Sequence, residues 1–134
     1  MNVWIKILPV LFVLIFGWCF SVQAYDPQAA VRYANVWWDG RNLDDYADYD
    51  YPSGGDCANF VSQCLIAGGL NLSEDKSIEP IYLGKGHTIA NCDALHRHLA
   101  VFRKVDVTEG NKGEDTPDEL VPGDIVIFGH EQDP

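Results

Sequence analysis

Three cysteines and four histidines carry most of the chemical potential of this chain. Besides Cys19 near the start, the cysteines are Cys57, Cys64 and Cys92; the histidines are His87, His96, His98 and His130. Cys57 stands apart because of its setting. It follows Gly54-Gly55-Asp56 and opens a run that closes on Gly68-Gly69. Aspartate is favoured at a helix N-cap, where its carboxylate accepts from N–H groups that lack an intrahelical partner. Cys57 is therefore expected at the first position of a helix, where those N–H groups and the helix dipole favour negative charge. Such an environment favours the thiolate, the nucleophilic form of cysteine. The Asp56 charge opposes this unless it is engaged in capping. The plainer reading is an inert cysteine in an ordinary amphipathic helix.

The other cysteines and histidines form no recognisable set. Cys57 and Cys64 lie about 10 Å apart along a helix axis, beyond disulfide reach. A Cys64–Cys92 bridge would leave Cys57 free, but the sequence leaves the pairing open. His96 and His98 point to nearly opposite sides of a helix. Cys92 and His96 could share a ligand, with core plus surface the plainer reading. No cysteine pair or Cys/His set has zinc spacing, so neither metal nor cofactor is expected.

The elements that must position Cys57 follow from pattern. The helix after Asp56 has Phe60, Val61, Cys64 and Leu65 as its apolar face, and glycine at its end can adopt the left-handed conformation. An earlier helix opens at Asp26-Pro27, a capping residue followed by a proline tolerated in the first turn. It carries the stripe Ala30, Val31, Ala34, Trp37 and Trp38 and ends at Gly40. Asn42 to Ser53 reads as a loop rich in Asp and Tyr, solvated by default, or else a wall facing substrate. A third helix is expected with Thr88 as cap and Ile89, Cys92, Leu95 and Leu99 inward. Val101 to Val107 alternates as a strand does. Pro122-Gly123-Asp124 is a turn, and the apolar run Ile125 to Phe128 reads as a buried strand. Helices followed by strands predict an α+β fold.

Composition bounds the rest. Residues 7–20 are almost wholly apolar and Val22-Gln23-Ala24 offers a cleavage site, the pattern of a secretory signal peptide over 1–24. The apolar stretch is short for a membrane span. Removing it takes the net charge from −11 to −12, since Lys6 is its one charged residue. Residues 25–134 suffice for one domain. That charge argues against nucleic acid and anionic membrane as partners. A secreted or extracytoplasmic protein, monomeric, is expected. Asn71-Leu72-Ser73 is a glycosylation acceptor in a eukaryotic source.

Gly55-Asp56-Cys57-Ala58-Asn59-Phe60-Val61-Ser62-Gln63-Cys64-Leu65-Ile66-Ala67-Gly68-Gly69 resembles the putative amidase-domain family, a papain-like group related to NlpC-type peptidases and CHAP amidases. Ala58 stands where that family usually has threonine. Tyr25-Asp26-Pro27, Ala30-Val31, Tyr33-Ala34 and Trp37 look like its opening helix, and Leu120 to Phe128 like its later Pro-Gly-Asp strand. The resemblance implies a papain-like α+β fold, with N-terminal helices and the nucleophile helix packed on a small antiparallel sheet. It also implies cleavage of an amide or peptide bond, in cell-wall peptide or another substrate, through a thioester on Cys57. The Cys57 backbone N–H would help hold the oxyanion. Gly54 and Gly55 would admit substrate; by position alone, Tyr49 and Tyr51 in the preceding loop would face it and Asp56 would cap the helix. The family's catalytic histidine is expected on a strand after Pro-Gly-Asp, about where the chain ends. The domain is therefore expected to be truncated at its C-terminus, with His130 the one candidate base. Two other readings compete. One is a non-catalytic relative that binds peptide or glycan through the same cleft. The other is a domain that uses Cys57 as a redox or cross-linking thiol.

Overall fold

The computed structural model describes residues 24–49, 56–106 and 120–127. Residues 1–23 of the expected signal peptide, Tyr51, Gly54, Gly55 and His130 lie outside them. Three α-helices organise these segments: α1 (Pro27–Trp37), α2 (Cys57–Ala67) and α3 (Cys92–Arg97). Between α2 and α3 the chain makes three single 3-10 turns, Leu72–Glu74, Pro80–Tyr82 and Lys85–His87. No helix among the described residues is long and apolar enough to cross a membrane.

Local chemistry sets the helix ends. The Asp26 carboxylate accepts from the N–H groups of Gln28 and Ala29, with Pro27 at the first position of α1. The last turn of α2 closes through Gly68 N–H to the Cys64 carbonyl and Gly69 N–H to the Ile66 carbonyl, Gly69 at a φ of 96°. Gly68 has an ordinary helical φ, but a Cβ there would lie 2.3 Å from Cε2 of Tyr25. The Asp26 N–H also donates to the Gly68 carbonyl at 2.8 Å. The start of α1 is thus fastened to the end of α2.

The core gathers Ala58 and Leu65 of α2, Leu72 and Ile78 from the turns, Ile89 just before α3, and Ala94, Leu95 and Leu99. Fully burying a side chain such as Leu72 or Ile89 contributes about 1.5–3 kcal/mol. The α1 stripe is only partly core: Ala30 is buried, whereas Trp38 is 72% exposed. The third helix is capped by Asn91, whose Oδ1 accepts from Ala94 N–H, and not by Thr88.

The expected α+β papain-like arrangement is not found. The described residues contain helices and turns and no sheet; their sole β pairing is an isolated antiparallel bridge between Leu83 and Ile89. Residues 98–102, where a strand was expected to begin, instead continue α3 as a π-helical turn closed by Arg103 N–H to the His98 carbonyl. The reason is tertiary. That turn buries both His98 and Leu99, and it stacks Phe102 on the His98 ring at 5.2 Å. His98 Nδ1 meets the Asp75 carboxylate at 3.1 Å, while Arg103 Nε donates toward His98 Nε2 at 3.4 Å. An alternating sequence has no means of announcing these partners. The other expected strand also forms no ladder among the described residues. Ile125 packs half-buried on the core, and Val126 and Ile127 stay exposed.

Candidate active site

Cys57 occupies the first position of α2 and its side chain is exposed. The face that α2 buries is not the apolar one that its sequence suggests. Asn59, Ser62 and Gln63 are buried with Ala58 and Leu65, while Phe60, Val61 and Cys64 are only half-buried. Each buried polar side chain is tied to a different segment. Asn59 Nδ2 donates to the Ala47 carbonyl at 2.9 Å and to Asp56 Oδ1 at 2.7 Å. Ser62 Oγ donates to the Ile89 carbonyl at 3.0 Å and accepts from the Ile89 N–H at 3.1 Å. Gln63 Oε1 accepts from the Tyr33 hydroxyl at 2.8 Å, and that hydroxyl accepts in turn from Asn42 Nδ2. Buried polar groups are costly unless partnered, so these bonds both permit the burial and fix what lies beside α2.

Asp56 holds the N-cap position, but its side chain makes no capping bond. The expectation that it caps α2 is corrected. Its carboxylate instead accepts from Asn59 Nδ2 and from the Tyr49 N–H at 3.4 Å, and it pairs with Arg41 Nε at 3.2 Å. The Asn59 amide and the Arg41 guanidinium compete successfully for oxygens that would otherwise turn to the helix. The negative charge beside Cys57 is therefore offset in part by the Arg41 cation, which Asp48 shares.

The loop before α2 is correspondingly less free than its composition suggests. Arg41 also pairs with Asp48, and Lys85 Nζ donates to the carbonyls of Leu43 and Asp44. Tyr49, a substrate-facing candidate, is half-buried, and a Cβ on Gly84 would meet its hydroxyl at 2.8 Å.

The Cys57 thiol meets another thiol: Sγ of Cys92, the first residue of α3, lies 3.5 Å from Sγ of Cys57. The sequence leaves the pairing of the three cysteines open and places Cys92 on the inner face of the third helix, whereas the structure exposes it beside Cys57. A usable signal was present in Asp56-Cys57 and Asn91-Cys92, two cysteines that each follow a helix-capping residue type. Burial, and after it the hydrogen bond and charge of Cys57, push the Cys92 thiol above its ordinary value. Cys64 sits elsewhere on α2, where burial pushes its thiol up to about 11.

Among the described histidines, His98 is fully buried against Asp75, and His87 and His96 are exposed. None is hydrogen-bonded to Cys57. Among the described residues, no group of three or more His, Cys, Asp or Glu side chains could hold a metal ion. A hollow of about 270 Å³ lined by Glu79, Tyr82, Asn91, Asp93, Ala94 and Arg97 opens beside the start of α3. A larger one, about 520 Å³, lies at Glu74–Ser77, Arg97, Val101 and Phe102. Neither is lined by Cys57, so neither defines the site.

The described residues thus display an exposed thiol at a helix start, beside a carboxylate paired with Arg41. The chain belongs to the family described as "Putative amidase domain", whose model matches residues 24–134. With that membership comes an amide as the class of substrate. Comparison with curated proteins and with solved structures gives no match.

Proposed function

We propose that this protein is a secreted amidase that cleaves its substrate through a covalent thioester on Cys57, with cell-wall peptide a candidate substrate. The observation that carries the reading is the exposed Cys57 thiol at the first position of α2 in a chain of the amidase-domain family. The Cys57 sulfur, having lost its proton, attacks the amide carbonyl carbon. The carbonyl oxygen gains negative charge, and the Cys57 N–H at the start of α2 is a donor suited to it. Collapse of the adduct expels the amine, which takes up a proton, and leaves a thioester. Water attacks the thioester carbonyl, and the acid and the thiol are released.

Proton transfer is assigned to His130, which lies beyond the described residues. Arg41 assists indirectly, since its pairing with Asp56 offsets part of the negative charge beside the attacking sulfur. Tyr49, Tyr51, Gly54 and Gly55 are assigned to the substrate-facing rim. The apolar stretch at residues 7–20 followed by Ala24 supports secretion.

The test is hydrolysis of a panel of peptide and peptidoglycan amides by the purified protein. Cys57→Ala is expected to abolish turnover, and a trapped acyl adduct is expected on Cys57 in the mass spectrum. Activity that survives Cys57→Ala would overturn the mechanism. Tight binding of a peptide or glycan without turnover would point to the non-catalytic reading instead. Loss of activity in His130→Ala, with restoration by added imidazole, would support the base assignment.

A further inference from the structure

We propose that Cys57 and Cys92 form a reversible disulfide, and that this bond switches the site off. That the bond forms rests on geometry alone; that it silences the protein rests on the reading of Cys57 as nucleophile.

The two sulfurs are 3.5 Å apart. A disulfide requires about 2.05 Å, so they need to close by about 1.5 Å. Side-chain rotation of cysteines at the first positions of two helices supplies movement on that scale. Both thiols are exposed, and thus reachable by a small reagent. Their proximity is built into the fold. Ser62, less than two turns along α2 from Cys57, grips both backbone groups of Ile89, three residues before Cys92. Asn91 then caps the helix that Cys92 begins. The third described cysteine does not compete, because Cys64 is half-buried and lies about 10 Å along the axis of α2 from Cys57.

A low-molecular-weight disulfide is the oxidant. The Cys57 thiolate attacks one of its sulfurs; that S–S bond breaks, and one small thiol leaves with a proton. The Cys92 thiolate then attacks Sγ of Cys57. The mixed disulfide breaks, a second small thiol leaves, and the Cys57–Cys92 bond remains. Two protein thiols are oxidised and one small disulfide is reduced to two thiols. Excess small thiol runs the same steps backwards. While the bond persists, Cys57 has no thiolate to attack an amide.

The experiment equilibrates the full chain in glutathione buffers from reducing to oxidising, quenches with acid, alkylates, and maps the peptides by mass. A Cys57–Cys92 linked peptide is expected under oxidising conditions, with Cys64 alkylated and full reversal by excess thiol. Cys64→Ser is expected to form the same link. Cys92→Ser is expected to accumulate a glutathione adduct on Cys57. A Cys64–Cys92 link, or a glutathione adduct persisting on Cys57 in the wild type, would overturn the proposal. Amide hydrolysis is measured on the same samples, and the linked form is expected to lose more than about tenfold in rate and regain it on reduction. Equal rates in linked and reduced forms would overturn the switch. A link that forms in a protein inert towards every amide in both states would overturn the amidase reading and leave the disulfide standing.

Discussion

Replacing Ser62 by alanine isolates the contact that holds the α3 region against α2. In the isolated bridge, the hydrogen bonds are made by the flanking residues, Gly84 N–H to the Thr88 carbonyl and Ala90 N–H to the Tyr82 carbonyl. The N–H and C=O of Ile89 turn instead to Ser62 Oγ, and both residues are fully buried. Ser62→Ala leaves one buried donor and one buried acceptor without a partner, each at about 1–3 kcal/mol. Partial relaxation brings the expected sum to about 2–4 kcal/mol. Against a small domain's stability of about 5–15 kcal/mol, that is a large fraction. With a urea slope of about 2 kcal/mol/M, the unfolding midpoint is expected to fall by about 1–2 M. The assay is urea unfolding followed by circular dichroism. Ser73→Ala, which removes an exposed hydroxyl bonded only to Asn71, serves as control and is expected within about 0.5 kcal/mol of wild type. The same Ser62→Ala protein is expected to link Cys57 to Cys92 more slowly under oxidising conditions. A loss below about 0.5 kcal/mol would refute the idea that this hydroxyl clamps the two segments.

Iodoacetamide at about pH 8 is expected to label Cys57 well ahead of Cys64, because a thiol pushed up to about 11 leaves roughly a thousandth of Cys64 ionised; peptide mapping over time decides, and equal rates would sink the distinction. Gly68→Ala is expected to cost about 1–3 kcal/mol through its clash with Tyr25, and Tyr25→Ala in the same chain is expected to recover part of it in thermal unfolding. Burial pushes the Asp75 carboxyl up, but bonds from the Ser77 hydroxyl and N–H and from His98 outweigh this and hold it below the usual carboxylate range. Its ionised form therefore stabilises the fold above the unfolded carboxylate pKa of about 3.9, and the benefit fades as pH falls through the lower folded value. Asp75→Asn is accordingly expected to destabilise at neutral pH and to approach wild type at about pH 3, measured by urea unfolding at both.

The sequence disclosed what is decided locally. Asp26-Pro27 and Gly68-Gly69 carry their helix-start and helix-end chemistry within a few residues, and both act where expected. The position of Cys57 was readable for the same reason. The buried face of α2 was not, because hydrophobic periodicity selects Phe60, Val61 and Cys64, whereas distant partners bury Asn59, Ser62 and Gln63. Asp56 looked like a cap until Arg41 and Asn59 claimed its oxygens. The two expected strands failed for want of context. Residues near 101 follow the buried His98–Asp75 pair into a helical turn, and Ile125–Ile127 finds no neighbouring strand among the described residues. Cys92 could be read as a second cysteine behind a capping residue type, but no local pattern shows that two residues 35 apart come into contact.

The hydrogen-bonded underside of α2 has a consequence for the orientation of its exposed end. A greasy face tolerates small rolling movements, because dispersion contacts trade one neighbour for another. Asn59, Ser62 and Gln63 reach Ala47, Ile89 and Tyr33 respectively, three anchors spread over about 100° of the helix circumference. Turning the helix by about 20° would carry an atom about 5 Å from its axis through nearly 2 Å, enough to break all three bonds. The polar face therefore sets the azimuth of α2, and with it the direction in which the Cys57 sulfur points.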